Sequence, residues 1–298
     1  MSSSLASQSD SAIDQRPRRS SSHPHGHRSR VPPLSALSLQ PYKLTNLPLN
    51  DNLVPEALAI LADSRLWKPG KLYNGTQICT HTLPINSSGS SGTLVDQLWC
   101  CAKHEWQTDP PPNTNIHEPT PTLYTHLWNK MSKNRIPSQR QYIPEIVSAI
   151  DIKTISRSRS IWSVSYDFGS PLSPRICAML QVLKLIANVP GTRTGIAINI
   201  PVDLNDSDEN LAVLEDLGVK GRFVSIEHLK EYEGGRIIEW RKILCGEFGG
   251  LIPRFCVRRS MPEKLAQDAQ RFLQWVVEPE TEVKEEREDG ELKLQTKW

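Results

Sequence analysis

The stretch from Gly221 to Val276 leaves few folds open to this chain. Two strand-like runs, Arg222–Tyr232 and Arg236–Cys245, flank the turn signal Gly234-Gly235. Gly249-Gly250-Leu251-Ile252-Pro253 then leads into an amphipathic helical pattern that reaches Trp275. A hairpin that feeds a long final helix gives that helix one evident use, to cover the face of a curved antiparallel sheet. Leu265, Ala269, Phe272, Leu273 and Val276 form its inward stripe; their full burial would contribute on the order of 10 kcal/mol before entropic costs. With sheet and helix both apolar, the space between them is either packed core or a pocket for a hydrophobic molecule.

The rest of the chain supplies the sheet. Leu53, Ala57, Ile60 and Leu61 mark an amphipathic helix with Pro55 in its first turn. Leu72–Thr82 and Thr93–Trp106 read as strands, joined by the Ser- and Gly-dense connector Pro84–Gly92. Thr120 and Pro121 open a helix with Leu123, Leu127 and Met131 on one stripe. Ser138 with Gln141 has capping-box spacing for a second, short helix, which Pro144 interrupts. Ser148–Ile155, Ser160–Phe168, Ile176–Ile186 and Thr194–Val202 join the two late runs as strand candidates. Their connectors are short, which favours antiparallel neighbours, since parallel crossovers need a dozen or more residues. Only Asp203–Lys220 is long, and Leu211, Leu214 and Leu217 suggest a helical turn within it. In the final helix Pro253 suits the first turn, while Ser260 and Glu263 around Pro262 predict a kink or restart. The sum is an α+β fold.

Composition bounds the rest. Residues 1–42, rich in Ser, Arg, Pro and His, and residues 278–298, dominated by Glu and Lys, read as disordered tails around one domain at 43–277. The net charge of +2 is scattered apart from Arg16–Arg30, so no basic face points to nucleic acid. No apolar run approaches the ~20 residues of a membrane span, and the N-terminus lacks the order of a secretory signal. A cytoplasmic location is expected, with organelle targeting left open by the Ser- and Arg-rich tail. Cys79, Cys100, Cys101, Cys177, Cys245 and Cys256 form no C-x-x-C pair and read as reduced core thiols. His23, His25 and His27 alternate in the tail and read as solvated. The other histidines have no metal-ligand spacing, and no G-x-S-x-G, Walker or G-x-G-x-x-G motif occurs. No metal, cofactor or catalytic residue is therefore expected, and Gly249-Gly250 reads as a tight turn rather than an anion site.

Candidate ligand contacts come from strand alternation. Glu239 and Arg241 share one face of their strand, and Ile238, Trp240 and Leu244 take the other. If Trp240 points inward, the charges form a solvated pair; if the charges point inward, they are paired ions that orient a ligand head group. Arg175 and Arg222 raise the same question at strand starts. Trp162 and Tyr166 share a face, with Ser163 and Ser165 opposite. Met179 lies on a strand that is apolar on both faces, and Ile252 and Phe255 fall near the start of the last helix.

Several blocks, in order, resemble the START domain, the steroidogenic-acute-regulatory-related helix-grip superfamily. These are Trp67-Lys68-Pro69-Gly70, Pro171-Leu172-Ser173-Pro174-Arg175, Ile200-Pro201-Val202-Asp203 and Gly221-Arg222. Ile238-Glu239-Trp240-Arg241, leading to Gly249-Gly250-Leu251-Ile252-Pro253, and Arg259-Ser260-Met261-Pro262 complete them. The pattern is similar to an uncharacterised fungal family of START-like proteins and spans Leu53 to Val276. It departs from START domains at Arg175-Ile176, where Arg-Asp is usual, and in its helix prolines. The resemblance implies a START/Bet v 1-like helix-grip fold, a curved antiparallel sheet wrapped around the long C-terminal helix, with a cavity between them. It names no ligand.

Three functions follow as expectations. The first is intracellular binding, with possible transfer, of a sterol, phospholipid or fatty acid derivative in a pocket of ~300–1,000 Å³. Movement of the Gly169–Pro174 loop or of the Pro262-interrupted helix would open it, with transient membrane contact through apolar loop tips. The second is a START-like cyclase or aromatase drawing on Glu239, Arg241, Tyr166 or His228. The third is a protein-interaction adaptor whose fold is filled with side chains. A void smaller than one lipid favours the third, and a monomer is expected throughout.

Overall fold

β-Branched and alternating apolar runs with short connectors give an eleven-stranded sheet in the computed structural model, described here over residues 36–48, 52–86, 94–108, 122–187, 189–205, 209–216 and 218–278. The chain runs β1 (Tyr42–Lys43), α1 (Leu53–Asp63), β2 (Lys68–Tyr73), β3 (Thr76–Asn86) and β4 (Leu94–Gln107). Helices α2 (Leu123–Ser132) and α3 (Arg135–Gln139) follow, then β5 (Ile146–Ser156), β6 (Arg159–Tyr166), β7 (Arg175–Ala187) and β8 (Thr194–Asp203). Helix α4 (Glu209–Asp216), β9 (Val219–Lys220), β10 (Arg222–Tyr232), β11 (Ile237–Glu247) and α5 (Arg254–Val277) complete it. The strands lie in the order β2-β3-β4-β11-β10-β8-β7-β6-β5, antiparallel throughout; short β1 and β9 add parallel pairs to β8 and β7. No helix among the described residues is long and apolar enough to cross a membrane.

Both faces of the sheet are covered, so two cores exist. On the concave face Trp240, Leu229, Val164 and Met179 pack against α2, α3 and α5. Trp240 stacks on Phe272 with centroids 4.7 Å apart, and Leu265, Ala269 and Val276 are fully buried beside it. On the outer face Ile196, Ile198, Ile200, Ile226 and Ile243 pack against α1 and against Ala36, Leu37 and Leu39. The Glu56 carboxylate ties that leading segment down by accepting the Ala36 and Leu37 amides at 2.9–3.0 Å.

The structure corrects several boundaries. The domain begins by residue 36 rather than 43, because Leu37 and Leu39 are fully buried. The expected strand Leu72–Thr82 is two strands of a hairpin: Asn74 (φ 45) and Gly75 (φ 86) take the left-handed conformations of a tight turn between β2 and β3. Asn-Gly announced that turn in the sequence. Helix α3 starts after Asn134, so Ser138 lies inside it and is no cap, and Pro137 sits in the first turn, where no amide bond is lost. Helix α5 is continuous through Pro262, with Pro253 as its N-cap; Ser260 Oγ donates back to Val257 O at 3.4 Å instead of capping a restart. Its buried stripe begins at Val257, Met261 and Leu265, which turns Phe255 outward. Thr120, Pro121, Leu217, much of Pro84–Gly92, the histidine cluster and most of both tails lie outside the described residues.

Candidate functional site

Between the concave face and α5 lies a pocket of about 100 Å³. Its apolar wall comes from Phe168, Phe223, Leu244 and Phe248, with Ile143 and Met261 above them. Its floor is polar, because Asn199 of β8 and Ser225 of β10 are cross-strand partners and both point inward. Asn199 Nδ2 donates to Ser225 Oγ at 2.9 Å, while Asn199 Oδ1, in a side chain 2% exposed, has no partner among the described residues. Gln181, the cross-strand neighbour of Asn199 on β7, likewise keeps Nε2 unpartnered.

A second chamber, about 170 Å³, abuts the first and shares Gly246, Glu247, Phe248 and Met261 with it. It runs past Ile252 towards the start of α5. Even together the two stay under the ~300 Å³ at which a typical small-molecule site begins. The pocket is thus closed down against the expected lipid-sized volume. A larger hollow of about 310 Å³ lies elsewhere, beside Leu53, the β5–β6 turn and the second half of β7, and none of the candidate residues lines it.

In the pocket lining Arg175, Arg222, Lys242 and Lys264 outnumber Glu247 and Asp268. Glu227 is buried between Arg135 (Nη2–Oε2 2.9 Å) and Lys242 (Nζ–Oε1 3.2 Å), and Lys242 reaches the pocket. Burial acts to raise the Glu227 carboxyl, but Arg135 and Lys242 outweigh it and hold it below the ordinary carboxylate range. Arg175, 3% exposed, donates from Nε to Phe248 O at 3.2 Å and from Nη1 to Ser173 O. Burial pushes the Tyr166 phenol and the Cys177 thiol up, the thiol to about 12, so both are neutral pocket walls at ordinary pH.

Of the sequence candidates, Tyr166, Arg175 and Arg222 line the pocket, and Ile252 lines the second chamber. Met179, Trp162 and Trp240 lie on the same concave face but are spent in packing; Trp162 Nε1 also donates to Ser160 Oγ at 2.7 Å. Phe255 is 71% exposed. Glu239 and Arg241 fit neither expected alternative. The Trp240 face does point inward, yet the charged pair is buried rather than solvated, because the 3₁₀ turn Ser64–Leu66 after α1 covers the outer face. Arg241 donates to Glu239 at 2.9 and 3.0 Å and to Ser64 Oγ at 3.2 Å; Arg65 approaches Glu239 at 3.1 Å and Lys103 at 3.4 Å. Their strand parity places them across the sheet from the pocket. His228, beside them, is held neutral by burial, its pKa lowered to about 4. Lys242, Asn199 and Ser225 escaped sequence reading. Alternation from Trp240 would have put Lys242 on the inner face, but nothing local marks the two short polar side chains.

A family described as "Protein of unknown function (DUF3074)" matches residues 113–276, more than half of the chain. The chain belongs to this family. No curated protein matches the sequence. Among solved structures, human STARD10 superposes with a TM-score of 0.52 at 10% identity, over 78% of this chain and 83% of that one. Human StAR-related lipid transfer protein 5 gives a TM-score of 0.51 at 13% identity, over 76% and 93% of the two chains. At such identities the likeness concerns the fold, and that fold is the START-like helix grip.

Proposed function

We propose that this DUF3074 protein binds a lipid-like hydrophobic ligand between the sheet and α5 and exchanges it with membranes. The observation that carries the reading is the pair of abutting chambers under α5, the first of them floored by Asn199, whose buried Oδ1 lacks a partner among the described residues. A packed core does not retain such atoms without cost. The name of StAR-related lipid transfer protein 5 points the same way, by analogy of fold alone.

Helix α5 has the means to open the pocket. Its C-terminal half is clamped: His126 Nε2 meets Val276 O at 2.9 Å, Lys130 Nζ donates to Trp275 O at 3.0 Å, and Gln270 Nε2 donates to Tyr73 O at 3.0 Å. Its N-terminal turns are exposed, and Pro262 between the halves has no amide to bond Arg258 O. Leu251 and Phe255 stand 101% and 71% exposed there among Arg254, Arg258 and Arg259. Apolar tips set among cations suit contact with an anionic membrane surface.

The chain acts in this reading as a binding protein rather than an enzyme. Of the enzyme candidates only Tyr166 reaches the pocket, and Glu239, Arg241 and His228 sit on the opposite face. One observation favours the adaptor instead: the pocket's 100 Å³. Delipidated full-length protein, incubated with mixed-lipid vesicles, re-isolated and analysed by native mass spectrometry, separates the two. Binding gives a mass increment of one lipid; a bare polypeptide mass from every mixture rejects the ligand reading and leaves the adaptor.

A further inference from the structure

The pocket holds more positive charge than its own side chains neutralise. Glu227 serves both Arg135 and Lys242, so that buried group already carries two cations against one carboxylate. Arg175 adds another: it is 3% exposed, only backbone carbonyls accept from it, and no described carboxylate pairs with it. Its Nη2 has no partner among the described residues. The other acidic side chains at the rim are engaged, Asp268 by Lys264 at 2.8 Å and Glu247 by Arg254 at 3.6 Å, with Gln97 donating to Glu247 at 2.7 Å. A guanidinium largely withdrawn from water and without a counter-charge is costly, and its fork suits a carboxylate or phosphate. Asn199 adapts to the same need. Its amide ends can exchange without loss to Ser225, whose hydroxyl donates or accepts, and the exchange turns Nδ2 towards the pocket as a donor.

Resting on the ligand-binding reading above, we propose that the pocket selects an amphiphile with one anionic head group, a carboxylate or phosphate monoester, held by Arg175, Lys242 and Asn199, the last oriented by Ser225. A neutral alcohol on the same apolar chain leaves Arg175 unmatched and Lys242 sharing the one Glu227 carboxylate with Arg135, and is discriminated against. Sterols and other molecules whose only polar group is a hydroxyl fall in that weaker class.

The test measures equilibrium binding of hexadecanoate, hexadecyl phosphate and hexadecanol to the full-length protein, each delivered from cyclodextrin. At least one anion binds tenfold or more tighter than the alcohol, and the preference between the two anions tells carboxylate from phosphate. The discrimination falls below threefold in Arg175→Gln and in Lys242→Gln, and Arg175→Lys retains most of it. Equal binding of alcohol and anions overturns the inference and leaves the ligand-binding reading standing. So does uptake of cholesterol or phosphatidylcholine from vesicles when neither anion binds. Failure to bind any lipid overturns both. If Arg175→Gln loses its circular dichroism signal, Lys242→Gln and the wild-type comparison decide alone.

Discussion

Glu239 keeps its charge at 2% exposure because Arg241, Arg65, Lys103 and Tyr232 all turn donors towards it. Burial pushes its pKa up, but the hydrogen bonds and charge of Arg241, with Arg65 and Lys103, pull it down to about 2 from the ordinary 4.5. A depressed carboxylate contributes stability above its unfolded pKa and loses it as pH falls towards the folded one. That contribution, on the order of 3 kcal/mol, is complete near neutrality and disappears between about pH 4.5 and pH 2. Glu239→Gln is expected to lower unfolding free energy by about 3 kcal/mol at pH 7, and the gap to wild type should close on acidification. Urea titrations at a series of pH values check this; a gap independent of pH means that folding does not depress the Glu239 carboxyl. Replacing Glu239 and Arg241 together by leucine is expected to cost less than Glu239→Gln, because Arg65 and Lys103 are partly exposed and can return to water.

At the scale of elements, α5 depends on two contacts of different kinds. The Phe272 ring stacks on Trp240 and meets Tyr142 edge-on at 5.6 Å, joining helix, sheet and the segment after α3. Phe272→Ala opens a cavity there and is expected to cost about 3–5 kcal/mol by chemical denaturation, with a change in tryptophan emission. The turn before the helix is set by backbone. Gly249 has φ 66, and a Cβ on it would stand 2.0 Å from Lys220 O. Gly249→Ala therefore strains the turn and pushes the start of α5 from β9. A loss of at least ~1 kcal/mol is expected, together with faster amide exchange in the first turns of α5. Exchange rising equally at Trp275 would show that the two halves of α5 do not move separately.

The molecule as a whole is a sheet between two cores, and the outer one belongs to the N-terminal third. Removing residues 1–67 would expose Ile196, Ile198, Ile226 and fully buried Trp99 on one surface. Such a truncation is expected to aggregate or bind a hydrophobic dye strongly, and a chain starting at residue 31 to remain monodisperse. Light scattering distinguishes the outcomes; a soluble, folded 68–298 fragment would mean the outer layer is dispensable.

The antiparallel sheet, the late hairpin and the inward stripe of α5 were legible because each rests on local periodicity: two residues per strand repeat, 3.6 per helix turn. Arg175, Arg222 and Ile252 were legible because the ordered blocks carried them, and Tyr166 because strand alternation put it on one face with Trp162. Glu239 and Arg241 were misread because alternation gives the two faces of a strand but not what covers them; residues nearly 180 positions earlier, Ser64 and Arg65, close the outer face. Lys242, Asn199 and Ser225 meet only when β8, β10 and β11 align in register, so no local window contains the site. The sequence alone determined which elements form, since their causes lie within a few residues of each other. Which charges are buried, which stand unmatched and how far the pocket is closed were decided by tertiary structure, because desolvation and pairing depend on neighbours distant in the chain.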